Sequence, residues 1–324
     1  MNDIEKLKVA VLIPCYNEEL TIAKVIKDFR EVLPEADLYV YDNNSTDETI
    51  RRAREAGAIV REEPLQGKGN VIRRMFRDIE ADLYVMVDGD DTYDASKAPE
   101  MVRTAISGSI DLVNGIRTSN HEENAYRPGH EFGNQLLTRA VSFLFGNRIM
   151  DMLSGYKVLS KRFVKSFPAH STGFEVETEL TVHALVLSMS IAHVPGKYKG
   201  RPEGSISKLR TYSDGMKIFK LIIVLYKQER PLFFFSVIGS VFSLLALGLG
   251  SPIIINYIQT GLVPRLPTAI LSMGIMSTGF LSFTSGLILD TVTRGRREAR
   301  ILRYLAIPFN QRMVPEVSKQ VVRR

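Results

Sequence analysis

Two long stretches without a charged side chain constrain the fold of this chain more than any other feature. No Asp, Glu, Lys or Arg occurs between Arg230 and Arg265, and none occurs between Arg265 and Asp290. Each stretch exceeds the roughly 20 apolar residues that a helix needs to cross the hydrocarbon core of a membrane. We therefore predict two membrane-spanning helices, near residues 232–255 and 268–289, because a buried helix of a soluble protein rarely runs this long without a charged face.

Basic residues beside these segments predict their orientation. Lys227 and Arg230 precede the first segment, Arg265 alone lies between the two, and five arginines follow the second: Arg294, Arg296, Arg297, Arg300 and Arg303. Basic residues next to spans stay on the cytoplasmic side, so both ends of the pair should face the cytoplasm. The amphipathic segment at 212–230 could lie in the membrane interface.

The rest of the composition narrows the class of protein. The formal net charge is +6, but the densest basic cluster directly follows an apolar segment, which favours a membrane surface over a nucleic acid. The only cysteine, Cys15, excludes an internal disulfide and a multi-cysteine zinc site, and it fits a reducing compartment. The first residues, MNDIEKLK, lack the apolar core of a signal peptide, so we expect residues 1–210 to remain in the cytoplasm.

Apolar runs alternate with helical periodicity in the first ninety residues. The runs predict strands at residues 8–13, 38–41, 58–61 and 83–87, and helices are predicted at 19–32, after 45 and at 67–78. Ser45 followed by Glu48 resembles a capping box at the start of the second helix. This order predicts an α/β domain with a parallel sheet and helices on both faces. Ligands bind such sheets beyond the carboxyl ends of the strands.

The strongest local signal is the acidic sequence Asp88-Gly89-Asp90-Asp91, which directly follows the fourth predicted strand. Asp88 and Asp90 can share one face of an extended chain. Carboxylates this close repel one another unless a cation intervenes, and Mg²⁺ prefers carboxylate oxygens together with substrate phosphates. We therefore predict a metal site that holds a diphosphate, with a solvated acidic turn as the alternative.

Two further polar clusters belong to the same predicted edge of the sheet. Asp42, in the sequence at 42–47, could accept hydrogen bonds from a nucleobase or a ribose, although Ser45 and Asp47 could simply cap the next helix. The amides and the lysine of Gly67-Lys68-Gly69 could contact a phosphate, although a structural turn explains this sequence equally well.

These motifs together resemble inverting family-2 glycosyltransferases with the nucleotide-diphospho-sugar (GT-A, Rossmann-like) fold. The matching sequences are residues 14–18, 42–47, 67–69, 88–90, 151–157 (Asp-Met-Leu-Ser-Gly-Tyr-Lys) and 173–175, with Arg201 and residues 207–209. The element at 151–157 and the two C-terminal spans are similar to the polyprenyl-phosphate subgroup, which includes dolichol-phosphate mannose synthase and bacterial undecaprenyl-phosphate glycosyltransferases. The resemblance covers about residues 9–293.

The resemblance implies a role for individual residues. Those near the nucleotide would be Pro14, Tyr16, Glu18, Asp42 and Lys68; Asp88 and Asp90 would bind Mg²⁺ or Mn²⁺ and the diphosphate. Arg117 would contact the acceptor phosphate, together with Ser154 and a second arginine, either Arg127 or Arg139. Arg201 and Lys208 would close over the phosphates. Thr92 stands where the best-known synthases have a glutamine, which leaves Asp91 or water as the third metal ligand.

The predicted activity is metal-dependent transfer, with inversion, of a sugar from a nucleotide-sugar to a polyprenyl phosphate. The sequence favours a UDP-sugar over a GDP-sugar and leaves the oligomeric state open, with a homo-oligomer as one alternative. The acceptor phosphate is largely dianionic at neutral pH and needs no catalytic base. Glu175, Glu177 and Glu179 are therefore interpreted as ordinary surface carboxylates of a helix, with a base among them as the alternative.

The expected organisation is a cytoplasmic catalytic domain at 1–210, a juxtamembrane helix at 211–231, a two-helix hairpin at 232–292 and a basic cytoplasmic tail at 293–324 in the cell membrane. A processive polysaccharide synthase is one alternative function, but such enzymes carry a Gln-x-x-Arg-Trp element and this chain contains no tryptophan. A membrane scaffold that retained the fold without activity is the other alternative.

Overall fold

The computed structural model describes residues 7–118, 130–145, 149–202, 204 and 211–308. These residues fall into two compact units, one within Met1–Lys220 and Arg300–Arg324 and the other at Leu221–Ala299. The first unit contains a sheet, and the second is built from helices.

One seven-stranded sheet organises the first unit, in the order β3-β2-β1-β4-β6-β5-β7. The strands are β1 (Val9–Cys15), β2 (Asp37–Asp42), β3 (Ile59–Glu62), β4 (Leu83–Met86), β5 (Leu112–Thr118), β6 (Lys157–Ser160) and β7 (Ile191–Lys197). The central strand β1 is buried along almost its whole length, which is typical of a sheet covered on both faces. The predicted α/β class is thereby confirmed.

In the described residues, seven α-helices connect these strands and an eighth begins the C-terminal region. They are α1 (Ile22–Val32), α2 (Thr49–Glu55), α3 (Lys68–Asp78), α4 (Ala98–Ser107), α5 (His130–Phe145), α6 (Lys161–Ser166), α7 (Val176–Val186) and α8 (Thr211–Glu229), counting α6 and α7 between β6 and β7. Apolar residues of α1 and α4 join alternate residues of β1, namely Val9, Val11 and Ile13, in one buried cluster. Strand residues at a spacing of two and helix residues at helical spacing therefore pack together in this core.

The four strands predicted in the first ninety residues are parallel to one another, as expected, but one later strand runs the other way. β6 runs antiparallel to both of its neighbours, β4 and β5, while the pairs β1–β2, β1–β4, β2–β3 and β5–β7 are parallel. Alternation of strands and helices cannot reveal the direction of a strand inserted between two others. The reversal has a consequence for the site, because it brings the beginning of β6, at Lys157, beside the carboxyl end of β4.

The predicted capping box is also wrong. α2 begins at Thr49, and Glu48 occupies the N-cap position without a side-chain hydrogen bond to the helix. The amide of Thr49 instead donates to Asp47 Oδ1 at 3.0 Å. The Ser45 hydroxyl accepts a hydrogen bond from the amide of Asn17, so Ser45 joins two loops rather than starting a helix.

Two long apolar helices follow, α9 (Pro231–Thr260) and α10 (Leu266–Leu305). They are long and apolar enough to cross a membrane, with mean hydropathies of 2.3 and 1.4 in their most apolar windows. Both predicted spans lie inside them. α10 continues past residue 292, so the first part of the predicted tail is helical, and residues beyond 308 lie outside the described part of the chain.

Candidate active site

The functional side chains gather at one edge of the sheet. Parallel pairing places the ends of β1, β2 and β4 together, with Cys15 opposite Asp42 and Leu12 opposite Met86. The antiparallel β6 adds the segment before Lys157 to the same edge, and β5 adds Asn114 opposite Lys157. The sequence motifs at 14–18, 42–47, 88–91 and 151–157 are therefore neighbours in space.

Hydrogen bonds join the loops after β1 and β2 into one unit. The amide of Asn17 donates to Ser45 Oγ at 2.8 Å, and the amide of Thr46 donates to Asn17 Oδ1 at 2.8 Å. Asp42 is almost fully buried below them, where its Oδ2 accepts from the amide of Ser45 at 2.9 Å. Its Oδ1 is buried and has no hydrogen-bond partner among the described residues. Because a buried acceptor without a partner is costly, this oxygen is a natural point of contact for a ligand donor.

Two of the three aspartates of the acidic turn, Asp88 and Asp90, are held by cationic side chains that were predicted for the site. Lys68 Nζ lies 2.5 Å from Asp88 Oδ1, and Arg201 Nη2 lies 2.6 Å from Asp90 Oδ2. Arg201 also reaches Glu18 Oε1 at 3.4 Å. Burial, followed by the charge of Asp88, raises the pKa of Asp90, and Arg201 opposes that rise. Four of the predicted residues, Asp88, Asp90, Lys68 and Arg201, thus form charged contacts at one place.

Asp91 lies apart from this pair. Its backbone has a positive φ of 56°, and its carboxylate binds Lys24 at 2.8 Å. Within the described residues, no group of three or more His, Cys, Asp or Glu side chains could hold a metal ion. The donor chemistry at Asp88 and Asp90 is nevertheless that of a hard divalent cation such as Mg²⁺ or Mn²⁺, which usually completes its coordination with phosphate oxygens and water. The two carboxylates therefore fit a metal that is bound together with a diphosphate.

Lys68 occupies a tight position at the start of α3. Its amine also contacts the carboxylate of Glu177, and its side chain is 9% exposed. Burial alone would lower the pKa of Lys68, but Asp88 and Glu177 outweigh it and raise the pKa, which keeps the amine charged. The amides of Gly67 and Gly69 donate to Asn43 Oδ1 and to the carbonyl of Thr172. Each of these amides has one donor, which is already used, whereas the ammonium of Lys68 has three donors and can contact a phosphate beside its two carboxylates.

Arg117 makes a bidentate ion pair with the first residue of the 151–157 motif. Its Nε lies 2.7 Å from Asp151 Oδ2 and its Nη2 lies 2.6 Å from Asp151 Oδ1, and each side chain is only 9% exposed. The guanidinium also lies 5.4 Å from the centre of the Tyr198 ring. An acceptor phosphate at Arg117 would therefore share the guanidinium with Asp151.

The remainder of the 151–157 motif shapes this part of the site. Ser154 is fully buried, and its Oγ accepts from the amide of Tyr156 at 3.2 Å. A Cβ on Gly155 would lie 2.3 Å from Asp88 Oδ2, so glycine allows the close approach of Asp88 to this backbone. Lys157 is fully buried and donates to Asn114 Oδ1 at 2.7 Å. Burial lowers the pKa of Lys157 to about 8.

The other predicted residues are more dispersed. Pro14 is half-buried at the end of β1, and Tyr16 is exposed just beyond it. Arg139 is exposed on α5. Arg127 and Lys208 lie outside the described residues, so the structure does not choose between Arg127 and Arg139 as a second acceptor arginine.

The interpretation of the helix glutamates as surface residues is wrong for two of them. Every residue of α7 is buried, including Glu177 and Glu179. Glu177 pairs with Lys68, and Glu179 accepts hydrogen bonds from the amides of His170 and Ser171, both at 2.8 Å. The sequence signal is that apolar residues occur on every side of this helix, so it lacks the separate polar face of a surface helix.

Comparisons with known proteins agree with this geometry. The model of the family "Glycosyl transferase family 2" matches residues 10–167. Glycosyltransferase AglJ of Haloferax volcanii is 36% identical over 250 residues, which cover 77% of this chain and 81% of AglJ. A dolichyl-phosphate hexose transferase of the same organism is 28% identical over 222 residues, which cover 68% of this chain and 95% of that protein.

A solved structure shows the same fold. Glucosyl-3-phosphoglycerate synthase from Mycobacterium tuberculosis, crystallised with Mn²⁺, uridine-diphosphate-glucose and phosphoglyceric acid, superposes with a TM-score of 0.56 at 22% identity. The match covers 69% of this chain and 80% of the synthase. The GT-A fold and the transferase class predicted from the motifs are confirmed, and the relative named dolichyl-phosphate hexose transferase supports the predicted subgroup. This chain belongs to glycosyltransferase family 2.

Proposed function

We propose that this enzyme transfers a sugar from a UDP-sugar to a polyprenyl phosphate at the cytoplasmic face of the cell membrane. The observation that carries the proposal is the meeting of Asp88 and Asp90 with Lys68 and Arg201, beside the buried Asp42 Oδ1. Carboxylates for a metal, cations for phosphates and an acceptor for a nucleoside donor are the groups that a nucleotide-sugar requires.

The nucleoside would bind over the joined loops after β1 and β2. Asp42 Oδ1 can accept a hydrogen bond from a base N–H or a ribose hydroxyl, since it has no partner within the described residues. Glu18 lies buried beside it, and the exposed ring of Tyr16 can cover the base. The solved relative that was crystallised with uridine-diphosphate-glucose supports a UDP-sugar as the donor.

The diphosphate would bind at the acidic turn together with Mg²⁺ or Mn²⁺, held by Asp88 and Asp90. When bound, the metal would supply positive charge to the departing diphosphate. Lys68 and Arg201 already contact the two aspartates. From these positions, each cationic side chain can reach the oxygens of a phosphate bound beside them. Positive charge fixed in place before the reaction stabilises the charge that develops on a leaving group.

The acceptor phosphate would bind beside Arg117, with Arg139 or Arg127 as a second contact and Ser154 shaping the loop beneath. An oxygen of the phosphate forms the new bond to the anomeric carbon from one side. The bond from that carbon to the diphosphate breaks on the other side, and its electrons leave with the diphosphate, so the configuration inverts. A dianionic phosphate carries no proton that must be removed, which makes a catalytic base unnecessary.

The two apolar helices support a lipid acceptor. α9 and α10 can cross a membrane by length and composition, and a relative named dolichyl-phosphate hexose transferase matches 68% of this chain. An anchor keeps the catalytic domain near a lipid substrate and so raises its effective concentration. The amphipathic segment of α8 would lie at the membrane surface, between the catalytic domain and the first span.

Replacing Asp90 tests the proposal. Asp90→Asn keeps the acceptor that Thr92 uses at 2.6 Å but removes the charge that the metal and Arg201 need. We expect transfer from UDP-sugars to polyprenyl phosphate, measured across a panel of nucleotide-sugars, to fall more than about tenfold, or about 1.4 kcal/mol of transition-state stabilisation. The thermal transition should change little.

Asp28→Asn is the matched control, because Asp28 is a surface partner of Lys24 on α1. It should retain wild-type transfer. Transfer by Asp90→Asn within tenfold of wild type would contradict the metal site. An active enzyme that ignores polyprenyl phosphate would contradict the acceptor.

A further inference from the structure

Glu177 is a buried charged residue that contacts Lys68 and that the sequence analysis interpreted as a surface carboxylate. It lies at the start of the fully buried helix α7, and its own side chain is 5% exposed. Its carboxylate contacts the amine of Lys68, which also lies 2.5 Å from Asp88. Lys68 therefore bridges two carboxylates, one of which is a proposed ligand of the metal.

Because Lys68 contacts both carboxylates, Glu177 affects how strongly the lysine neutralises Asp88. When both carboxylates are ionised, one cation cannot neutralise them, and the group of three has a net charge of −1. If Glu177 were neutral, the whole charge of Lys68 would face Asp88 alone. In a buried environment such a pair is strongly attractive, and a divalent cation would have to compete with the lysine for the same oxygens. With Glu177 charged, the lysine is shared between two carboxylates and competes less strongly with a metal for Asp88.

The backbone around Lys68 is fixed by the same helix. Glu179 accepts two amide hydrogen bonds from His170 and Ser171, and the carbonyl of Thr172 then accepts from the amide of Gly69. α7 thus holds the loop against which α3 begins. Lys68 is held from two directions, by its backbone through this loop and by its amine through Glu177.

We propose that Glu177 is a positioning residue that holds Lys68 and thereby sets the affinity of Asp88 for the divalent cation. This inference rests on the proposed function, because it assumes that Asp88 binds a metal with the nucleotide. It assigns no proton transfer to Glu177. The carboxylate acts on the reaction only through the lysine, in the way that outer contacts tune the ligands of other metal sites.

Metal-dependent nucleotide binding tests the proposal without measuring turnover. The full chain in detergent is titrated with UDP at increasing Mn²⁺, and the Mn²⁺ concentration for half-maximal binding is compared between variants. Glu177→Gln should raise this concentration about tenfold or more, the usual range for loss of an outer contact. Glu175→Gln is the matched control, since Glu175 caps the amide of Gly173 two residues away and should leave the concentration unchanged.

A double-mutant cycle separates the bridge from a general effect of charge. In a Lys68→Met background, Glu177 has lost the cation through which it acts on Asp88, so adding Glu177→Gln should change the Mn²⁺ requirement by less than about twofold. An equal change with and without Lys68 would overturn the proposal, because it would reflect a direct attraction between Glu177 and the cation or a fold defect.

Glu177→Asp is a second variant, in case Glu177→Gln does not fold. Its shorter side chain keeps the charge but withdraws the carboxylate from Lys68, and the same rise in Mn²⁺ requirement is expected. No rise in a folded variant at this position would overturn the inference. Absence of metal-dependent UDP binding in the wild type would instead contradict the proposed function itself, so the two failures are distinguishable.

Discussion

Arg117 has a structural partner, Asp151, and is also the proposed contact of the acceptor phosphate. Its bidentate pair with Asp151 is almost buried, and a buried pair is costly to break on one side only. Arg117→Ala alone would leave Asp151 without this cation. A test of the acceptor role therefore needs a variant that removes both charges.

We expect Arg117→Ala/Asp151→Ala to weaken use of polyprenyl phosphate about tenfold to a hundredfold, because one to two charge-assisted hydrogen bonds to the phosphate are lost. UDP affinity in the presence of Mn²⁺ should change less than about twofold. Steady-state kinetics in the lipid and a separate UDP titration measure the two effects. Equal losses for both ligands would place Arg117 in the donor site or in the fold.

The residues that the sequence assigned correctly to the site are those with a local signal. Asp88, Asp90 and Asp42 follow strands, so the topology of a parallel sheet brings them together. Arg201 was placed by family resemblance, and no spacing rule would pair it with Asp90. The role of Glu177 depends on a contact between residues more than a hundred positions apart, which no local pattern encodes.

At the scale of elements, the junction of α3 with the loop at 171–172 is the tightest contact in the site. A Cβ on Gly69 would lie 2.1 Å from the carbonyl oxygen of Ser171, and one on Gly67 would lie 2.2 Å from that of Thr172. Both obstacles are backbone atoms, which cannot move away by rotating a side chain. The glycines in this motif are therefore needed for packing, while Lys68 supplies the chemistry.

Gly69→Ala should separate α3 from this loop. We expect a loss of about 1–3 kcal/mol in the free energy of unfolding, typical of overpacking, and weaker binding of UDP because Lys68 moves with the helix. Gly215→Ala in α8 is the control, because a Cβ there meets nothing within 4 Å. Chemical unfolding in detergent and UDP titration measure the two effects, and wild-type behaviour of Gly69→Ala would show that the junction is more adaptable than its distances imply.

The elements themselves show where sequence patterns succeed. The four strands and three helices predicted in the first ninety residues are all present, because each has a clear period and a polar boundary. The start of α2 was misplaced, since Ser45 serves a contact with Asn17 that the capping pattern cannot distinguish from a cap. β6 lies beyond the predicted strands, and its antiparallel direction depends on where the chain returns, not on the composition of the strand.

For the whole molecule, the open question is which side of the membrane holds the site. α9 ends at Thr260 and α10 begins at Leu266, so a short connection joins the two apolar helices. Arg265 is the only basic residue there, whereas Lys227 and Arg230 precede the pair and five arginines lie at residues 294–303, just after the apolar part of α10. Basic residues next to spans resist translocation, which predicts that this connection is outside and that the catalytic domain is cytoplasmic.

Cysteine labelling in intact cells measures this topology. Cys15 need not be replaced, because it is buried and burial raises the pKa of its thiol, so it should not react. A cysteine placed by Thr260→Cys should react with a membrane-impermeant thiol reagent, and one placed by Glu35→Cys, exposed on the catalytic domain, should react only after the cells are opened. The reverse pattern would place the site outside, away from the cytoplasm where nucleotide-sugars are made. It would therefore contradict the proposed donor as well as the orientation of the helices.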